Sequence, residues 1–152
     1  MPVAYIDLPY GLGVDIKNKL LKEVAELIHH AYMIPDNRVF LREWPVELIS
    51  IDGELRGPMR PIFNFLVPPG LPVEAKRLLV KRVSSAIAEA CNLPRESAPL
   101  PSGMTVSTRW VLGFFSEYPL DQASLDDLLA LENPMVLDSI EAVMQTQKGL
   151  PR

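Results

Sequence analysis

Pro61-Ile62-Phe63-Asn64-Phe65-Leu66-Val67 is a strand-forming run opened by a proline, and it decides the fold because the chain carries it twice. Its counterpart is Pro2-Val3-Ala4-Tyr5-Ile6-Asp7-Leu8. Each run leads into a turn, Pro9-Tyr10-Gly11-Leu12-Gly13 in the first copy and Pro68-Pro69-Gly70-Leu71-Pro72 in the second. An amphipathic helix follows each turn. In residues 15 to about 31 the apolar positions are Ile16, Leu20, Leu21, Val24, Leu27 and Ile28. In residues 73 to about 91 they are Leu78, Leu79, Val83, Ile87 and Ala90. Pro2 aligns with Pro61, Gly11-Leu12 with Gly70-Leu71, Lys17 with Lys76 and Val24 with Val83, at a constant offset of 59 residues.

Outward from these pairs the units close alike. Arg38-Val39-Phe40-Leu41-Arg42-Glu43-Trp44 is a strand ended by Pro45, and residues 46–51 run as a short strand or hairpin into Asp52-Gly53. In the second unit an insertion over residues 98–103 precedes a strand at 109–115, and Glu117-Tyr118-Pro119 echoes Glu43-Trp44-Pro45. Two helical segments are expected in the tail. Ser124 with Asp127 would cap one running to about residue 131, and Asn133-Pro134 would start another running to about residue 145. Their apolar residues need a surface, on the same subunit or a neighbour's.

The expected fold is therefore α+β. Two duplicated β-α-β units, about 2–60 and 61–119, form a four-stranded sheet with two helices on one face, and residues 120–152 add a C-terminal helical arm. At 152 residues this is one domain. A net charge of −4 gives no basic footprint for nucleic acid, and the single cysteine, Cys91, excludes a disulfide framework or a cysteine-based metal cluster. No segment has the length and polarity of a membrane span, and no basic region followed by an apolar run opens the chain. A cytoplasmic protein with no membrane or nucleic-acid partner is expected.

The residue with chemical promise is Pro2. Removal of Met1 would turn its ring nitrogen into a secondary amine, and partial burial would lower that amine's pKa toward neutrality, where a general base works best. The alternative is a proline that only opens an edge strand. Arg38 and Arg42 share a strand face and form either a carboxylate clamp or ordinary ion pairs. His29-His30 ends a helix, where a cation suits the dipole, and two adjacent histidines make a poor metal pair. Tyr5, Trp44, Phe114 and Tyr118 line a pocket or fill the core. Glu43 and Glu117 close equivalent strands, which suggests a shared structural role.

The first unit resembles 4-oxalocrotonate tautomerase, on Pro2-Val3-Ala4, Gly11, Lys17, Glu23-Val24, Arg38-Val39, Glu43 and Ile51-Asp52-Gly53-Glu54-Leu55. With the weaker copy over residues 61–119, the chain is similar to fused members of the tautomerase superfamily. These include 5-(carboxymethyl)-2-hydroxymuconate isomerase, malonate semialdehyde decarboxylase and cis-3-chloroacrylic acid dehalogenase. The resemblance implies a homotrimer with one active site per free N-terminal proline. It also implies a cofactor-free, metal-free isomerase that uses Pro2 as base or acid on a small enol, carbonyl or carboxylate substrate. Arg38 matches a substrate-binding arginine, and Ile49 falls where the family has an apolar phenylalanine. The sequence departs from the pattern at Leu12, Leu71 and Leu112, where arginines are missing. Arg109 is then the nearest second-unit candidate for the substrate carboxylate, beside Arg42, with Tyr5, Ile49 and Phe114 as pocket lining. The losses keep two alternatives open. One is a non-catalytic scaffold or small-molecule binding protein on this fold, and the other is a related hydratase, dehalogenase or decarboxylase.

Overall fold

The structure, a computed structural model, describes residues 1–34, 36–51, 53–55, 60–93, 97–99, 105–107, 111–125 and 127–148, with residues 51, 54, 97–99, 105–107, 147 and 148 described by backbone alone. Strand β1 (Val3–Pro9) buries Ala4, Ile6 and Leu8 on one face and leaves Val3, Tyr5 and Asp7 on the other, the alternation that a half-covered strand requires. Helix α1 (Val14–Tyr32) carries the chain back and buries Leu20, Val24, Ile28 and Tyr32. It stops at Met33, which takes the left-handed conformation and donates its N–H to the His29 carbonyl at 2.8 Å. Strand β2 (Arg38–Trp44) then pairs in parallel with β1, Val3 opposite Arg38 and Asp7 opposite Arg42. Residues 46–48 make a 3₁₀ turn, and a small hairpin, β3 (Ser50–Ile51) with β4 (Glu54–Leu55), ends the first unit.

The second unit repeats this course. Strand β5 (Ile62–Val67) lies antiparallel to β1, helix α2 (Val73–Ala90) crosses back, and β8 (Leu112–Glu117) pairs in parallel with β5. Between them, β6 (Ser97–Pro99) pairs antiparallel with β7 (Thr105–Ser107). The sheet order is β2-β1-β5-β8, with the two first strands at the centre and the two second strands at the edges. Equivalent hydrogen bonds mark the repeat: Arg38 N–H donates to the Pro2 carbonyl and Leu112 N–H to the Pro61 carbonyl, each at 3.0 Å. Equivalent ion pairs do the same, Lys17 with Glu43 and Lys76 with Glu117. Both helices cover one sheet face, where Ile6, Leu8, Phe63, Phe65, Val24, Leu79, Val83 and Ile87 form the core. Gly113 lies opposite Phe63, and a Cβ there would collide with the Phe63 ring, so the core admits that ring only because position 113 has no side chain.

The tail departs from expectation. Residues 124–131 do not form the expected helix. Strands β9 (Ser124–Leu125) and β10 (Leu128–Leu129) form a tight hairpin whose Asp127 has φ 65°, followed by a 3₁₀ turn at 130–132. Aspartate tolerates this left-handed geometry, so Asp127 serves a turn instead of a helix start. The second helix begins where read: α3 (Pro134–Lys148) has proline first, and the Asn133 side chain accepts the Met135 N–H at 3.1 Å. Val136 and Val143 are buried within the same chain, and Ile140 and Met144 lie against Gly70 in the turn before α2. The arm therefore covers its own subunit. Strand β8 begins at Leu112, three residues later than the expected start at 109, and positions 109 and 110 lie outside the described residues. Among the described residues no helix is long and apolar enough to cross a membrane.

Candidate active site

Pro2 is buried at the entrance of β1, with Met1 half-exposed ahead of it. The Met1 amine donates to the Tyr118 hydroxyl at 3.1 Å, and that hydroxyl lies 3.2 Å from the Met1 carbonyl oxygen, to which it donates in turn. Tyr118 reaches this position because its N–H bonds the Val67 carbonyl at 3.0 Å, carrying the β5–β8 pairing one residue past Glu117. Covalent geometry then holds the Tyr118 oxygen within about 5.5 Å of the Pro2 nitrogen. Burial pushes the Tyr118 hydroxyl up to about 12, so it remains a proton donor throughout the neutral range. Burial also lowers the Met1 amine below its ordinary value, against a weaker opposing pull from Asp36. Behind Tyr118, the Tyr32 hydroxyl is buried without a hydrogen-bond partner among the described residues. Its pKa is raised, first by burial and then by the charges of Glu117 and Tyr118. Glu117 itself is held by Lys76.

The arginines sit differently. Arg38 is next to Pro2 through its backbone, but its guanidinium turns to Asp36 in a two-bond pair at 3.2 Å. Arg42 grips Asp7 at 2.8 and 2.9 Å and lies 5.0 Å over the Tyr5 ring. Trp44 Nε1 also donates to Asp7, at 2.7 Å. The two guanidinium groups are thus held on separate carboxylates and do not converge on one point. Tyr5 stacks on Phe40 at 5.4 Å in a row across the uncovered sheet face, Phe40–Tyr5–Asn64–Phe114. Asn64 Oδ1 is buried in that row without a partner among the described residues. Phe114 therefore faces away from the helices, in the same row as Tyr5. Ile49 lies at the other end of the sheet from Pro2, with Arg60, Ile62 and Leu112. Arg109 lies outside the described residues. The His30 ring nitrogen Nδ1 is 2.7 Å from the Glu26 carbonyl, one turn back in its own helix.

Sequence reasoning weighed Tyr118 only as pocket lining or core. Its signal was present in the echo of Glu43-Trp44-Pro45 by Glu117-Tyr118-Pro119, since the end of β8 and the start of β1 lie at the same end of the sheet, on either side of β5. Tyr32 carried no signal beyond its helical position.

No protein-family model and no curated protein matches the chain. Solved structures match it across most of its length. A native fused 4-OT has 18% identity and a TM-score of 0.70, covering 86% of this chain and 97% of its own. Pt0534 inactivated by 2-oxo-3-pentynoate has 16% identity and a TM-score of 0.68, with coverage of 86% and 97%. A macrophage migration inhibitory factor-like protein from Entamoeba histolytica has 12% identity and a TM-score of 0.60, with coverage of 82% and 95%. The chain therefore has the tautomerase-like fold, in its fused two-unit form.

Proposed function

We propose that this chain is a cofactor-independent enzyme of the tautomerase superfamily, with Pro2 as its general base once Met1 is removed. The observation that carries the reading is the setting of the first residues. A terminal amine at this point is desolvated enough for its pKa to fall, and Pro2 is more deeply buried than Met1. The neutral amine takes the O–H proton of a small enol of a 2-oxo acid, the electron pair moves through the C=C bond to form the carbonyl, and the resulting ammonium returns the proton to the carbon at the far end of that O–C=C unit. Tyr118, protonated at neutral pH, donates a hydrogen bond to the enolate oxygen as charge develops there. Arg38 can supply the carboxylate contact by exchanging Asp36 for substrate, since both partners are exposed. Simple proton transfer is favoured over water activation because Glu117, the carboxylate beside Tyr118, is occupied by Lys76.

The non-catalytic binding protein is the second reading, and Leu112 favours it. It occupies beside Pro61 the place that Arg38 holds beside Pro2, so the second unit has no equivalent guanidinium. Turnover of phenylenolpyruvate to phenylpyruvate separates the two. In the tautomerase, Pro2→Ala loses at least about a hundredfold in kcat/KM, the scale of positioned acid–base catalysis. Equal turnover by the variant and the parent leaves the binding protein. The amine is also expected to add to the alkyne of 2-oxo-3-pentynoate, the compound that inactivated Pt0534.

A further inference from the structure

Asp36 takes a left-handed backbone, φ 60°, in the segment that leads into β2. Aspartate tolerates that conformation, and here it accompanies a carboxylate turned onto the guanidinium two residues ahead. Nε and Nη2 of Arg38 both donate to it at 3.2 Å. The backbone N–H of the same Arg38 donates to the Pro2 carbonyl, so the ion pair is built beside the chain terminus. Asp36 also acts on the terminal amine, as the charge that opposes the loss of the proton favoured by burial. The other groups at this end are accounted for. The amine donates to Tyr118 after β8, Tyr32 of α1 is buried behind Tyr118, and Glu117 of β8 is answered by Lys76 of α2. Among the described residues, Asp36 is the carboxylate that an arginine and the amine share. Its pair with Arg38 is exposed on both sides, and such a pair exchanges readily for another carboxylate.

From this we infer that Asp36 is a positioning residue that couples substrate binding at Arg38 to the basicity of the terminal amine. In the empty site Asp36 occupies Arg38. A substrate carboxylate that takes Arg38 displaces it, and the Asp36 charge, no longer answered, acts on the amine. The base is then strongest while substrate is held, and the ammonium formed by proton transfer has a counter-ion beside it. Affinity is the cost, because substrate must compete with Asp36 for the guanidinium. The catalytic meaning of this exchange rests on the Pro2 reading, whereas the exchange itself belongs to the amine and the ion pair.

The test is a pH titration of the terminal amine by its nitrogen NMR signal, read on Pro2 or, in a chain that keeps Met1, on Met1. It compares the parent with Asp36→Asn, Arg38→Gln and the double variant. Asparagine also tolerates the left-handed conformation and both side chains are exposed, so these variants keep the fold. Asp36→Asn is expected to lower the midpoint by about half a pH unit or more, and Arg38→Gln, which releases Asp36 as substrate would, to raise it. In the double variant most of that rise is expected to vanish, because no carboxylate is left to release. The KM for phenylenolpyruvate is expected to fall about two- to fivefold in Asp36→Asn, the factor by which an exposed ion pair competes. A residue that only shaped the turn would move neither reading in these directions. An unchanged midpoint in Asp36→Asn, or shifts that simply add in the double variant, overturns the coupling, and an unchanged or higher KM overturns the competition for Arg38. Full turnover by Pro2→Ala overturns the Pro2 reading alone, since the titrations decide the role of Asp36 without turnover.

Discussion

Tyr118 is the residue that gives the first residues a chemical setting. Its hydroxyl bridges the amine and carbonyl of Met1, and removal of Met1 would leave it facing the Pro2 nitrogen across the vacated space. Tyr118→Phe is expected to lower kcat for phenylenolpyruvate about tenfold or more while the protein stays folded, the scale of one removed donor to developing charge. The pH dependence follows from burial. The desolvation that lowers the Met1 amine would act also on the more deeply buried Pro2 nitrogen once it is freed, so the acid limb of kcat/KM is expected below that of an exposed prolyl amine, with activity rising as pH climbs through it. Stability runs the other way at high pH. Tyr118 is raised to about 12 in the folded protein, so the folded state holds this proton where the unfolded chain has lost it. Stability is expected to be full below about pH 10 and to fall as pH rises toward 12, a loss that urea titrations of Tyr118→Phe should show reduced.

At the scale of elements, the strands and long helices were legible because both kinds of periodicity were unbroken. The alternation of β1 and β5 predicted which side chains meet the helices, and Arg38–Trp44 gave β2 its observed bounds. The tail was not legible in the same way. Ser124-Leu125 and Leu128-Leu129 are too short to show a period, and the capping pattern of Ser124 and Asp127 competed with the turn preference of aspartate, which prevailed. Leu78 was read as core, yet it is exposed in the groove between α1 and α2, while Leu79 and Val83 of the same helix take the buried positions. Gly113 gives this scale its test. Gly113→Ala should destabilise the protein by about 1–3 kcal/mol, since the added methyl meets the Phe63 ring in a filled core. Asn133→Ala should cost about 1 kcal/mol through the lost cap of α3. Chemical denaturation measures both.

For the whole molecule, the uncovered sheet face matters most. Helices cover one side, and the other presents Phe40, Tyr5 and Phe114 in a row, with Phe114 55% exposed and the Asn64 oxygen left without a partner among the described residues. An apolar row of this kind suits contact with further copies of the chain. A mass above that of one chain by light scattering is expected, and Phe114→Asp should shift it toward the single chain. The duplication was readable in sequence, because proline, glycine and lysine kept one offset through two units. The setting of the arginines was not. The side of each arginine that meets an acid depends on Asp7 and Asp36, which no spacing announced.

The amine at Pro2 can be tested in one measurement: peptide mass mapping of the purified protein after incubation with 2-oxo-3-pentynoate. One adduct on an N-terminal peptide beginning at Pro2 is expected. A peptide that still begins at Met1, or an unmodified peptide beginning at Pro2, would contradict the assignment of Pro2 as the base.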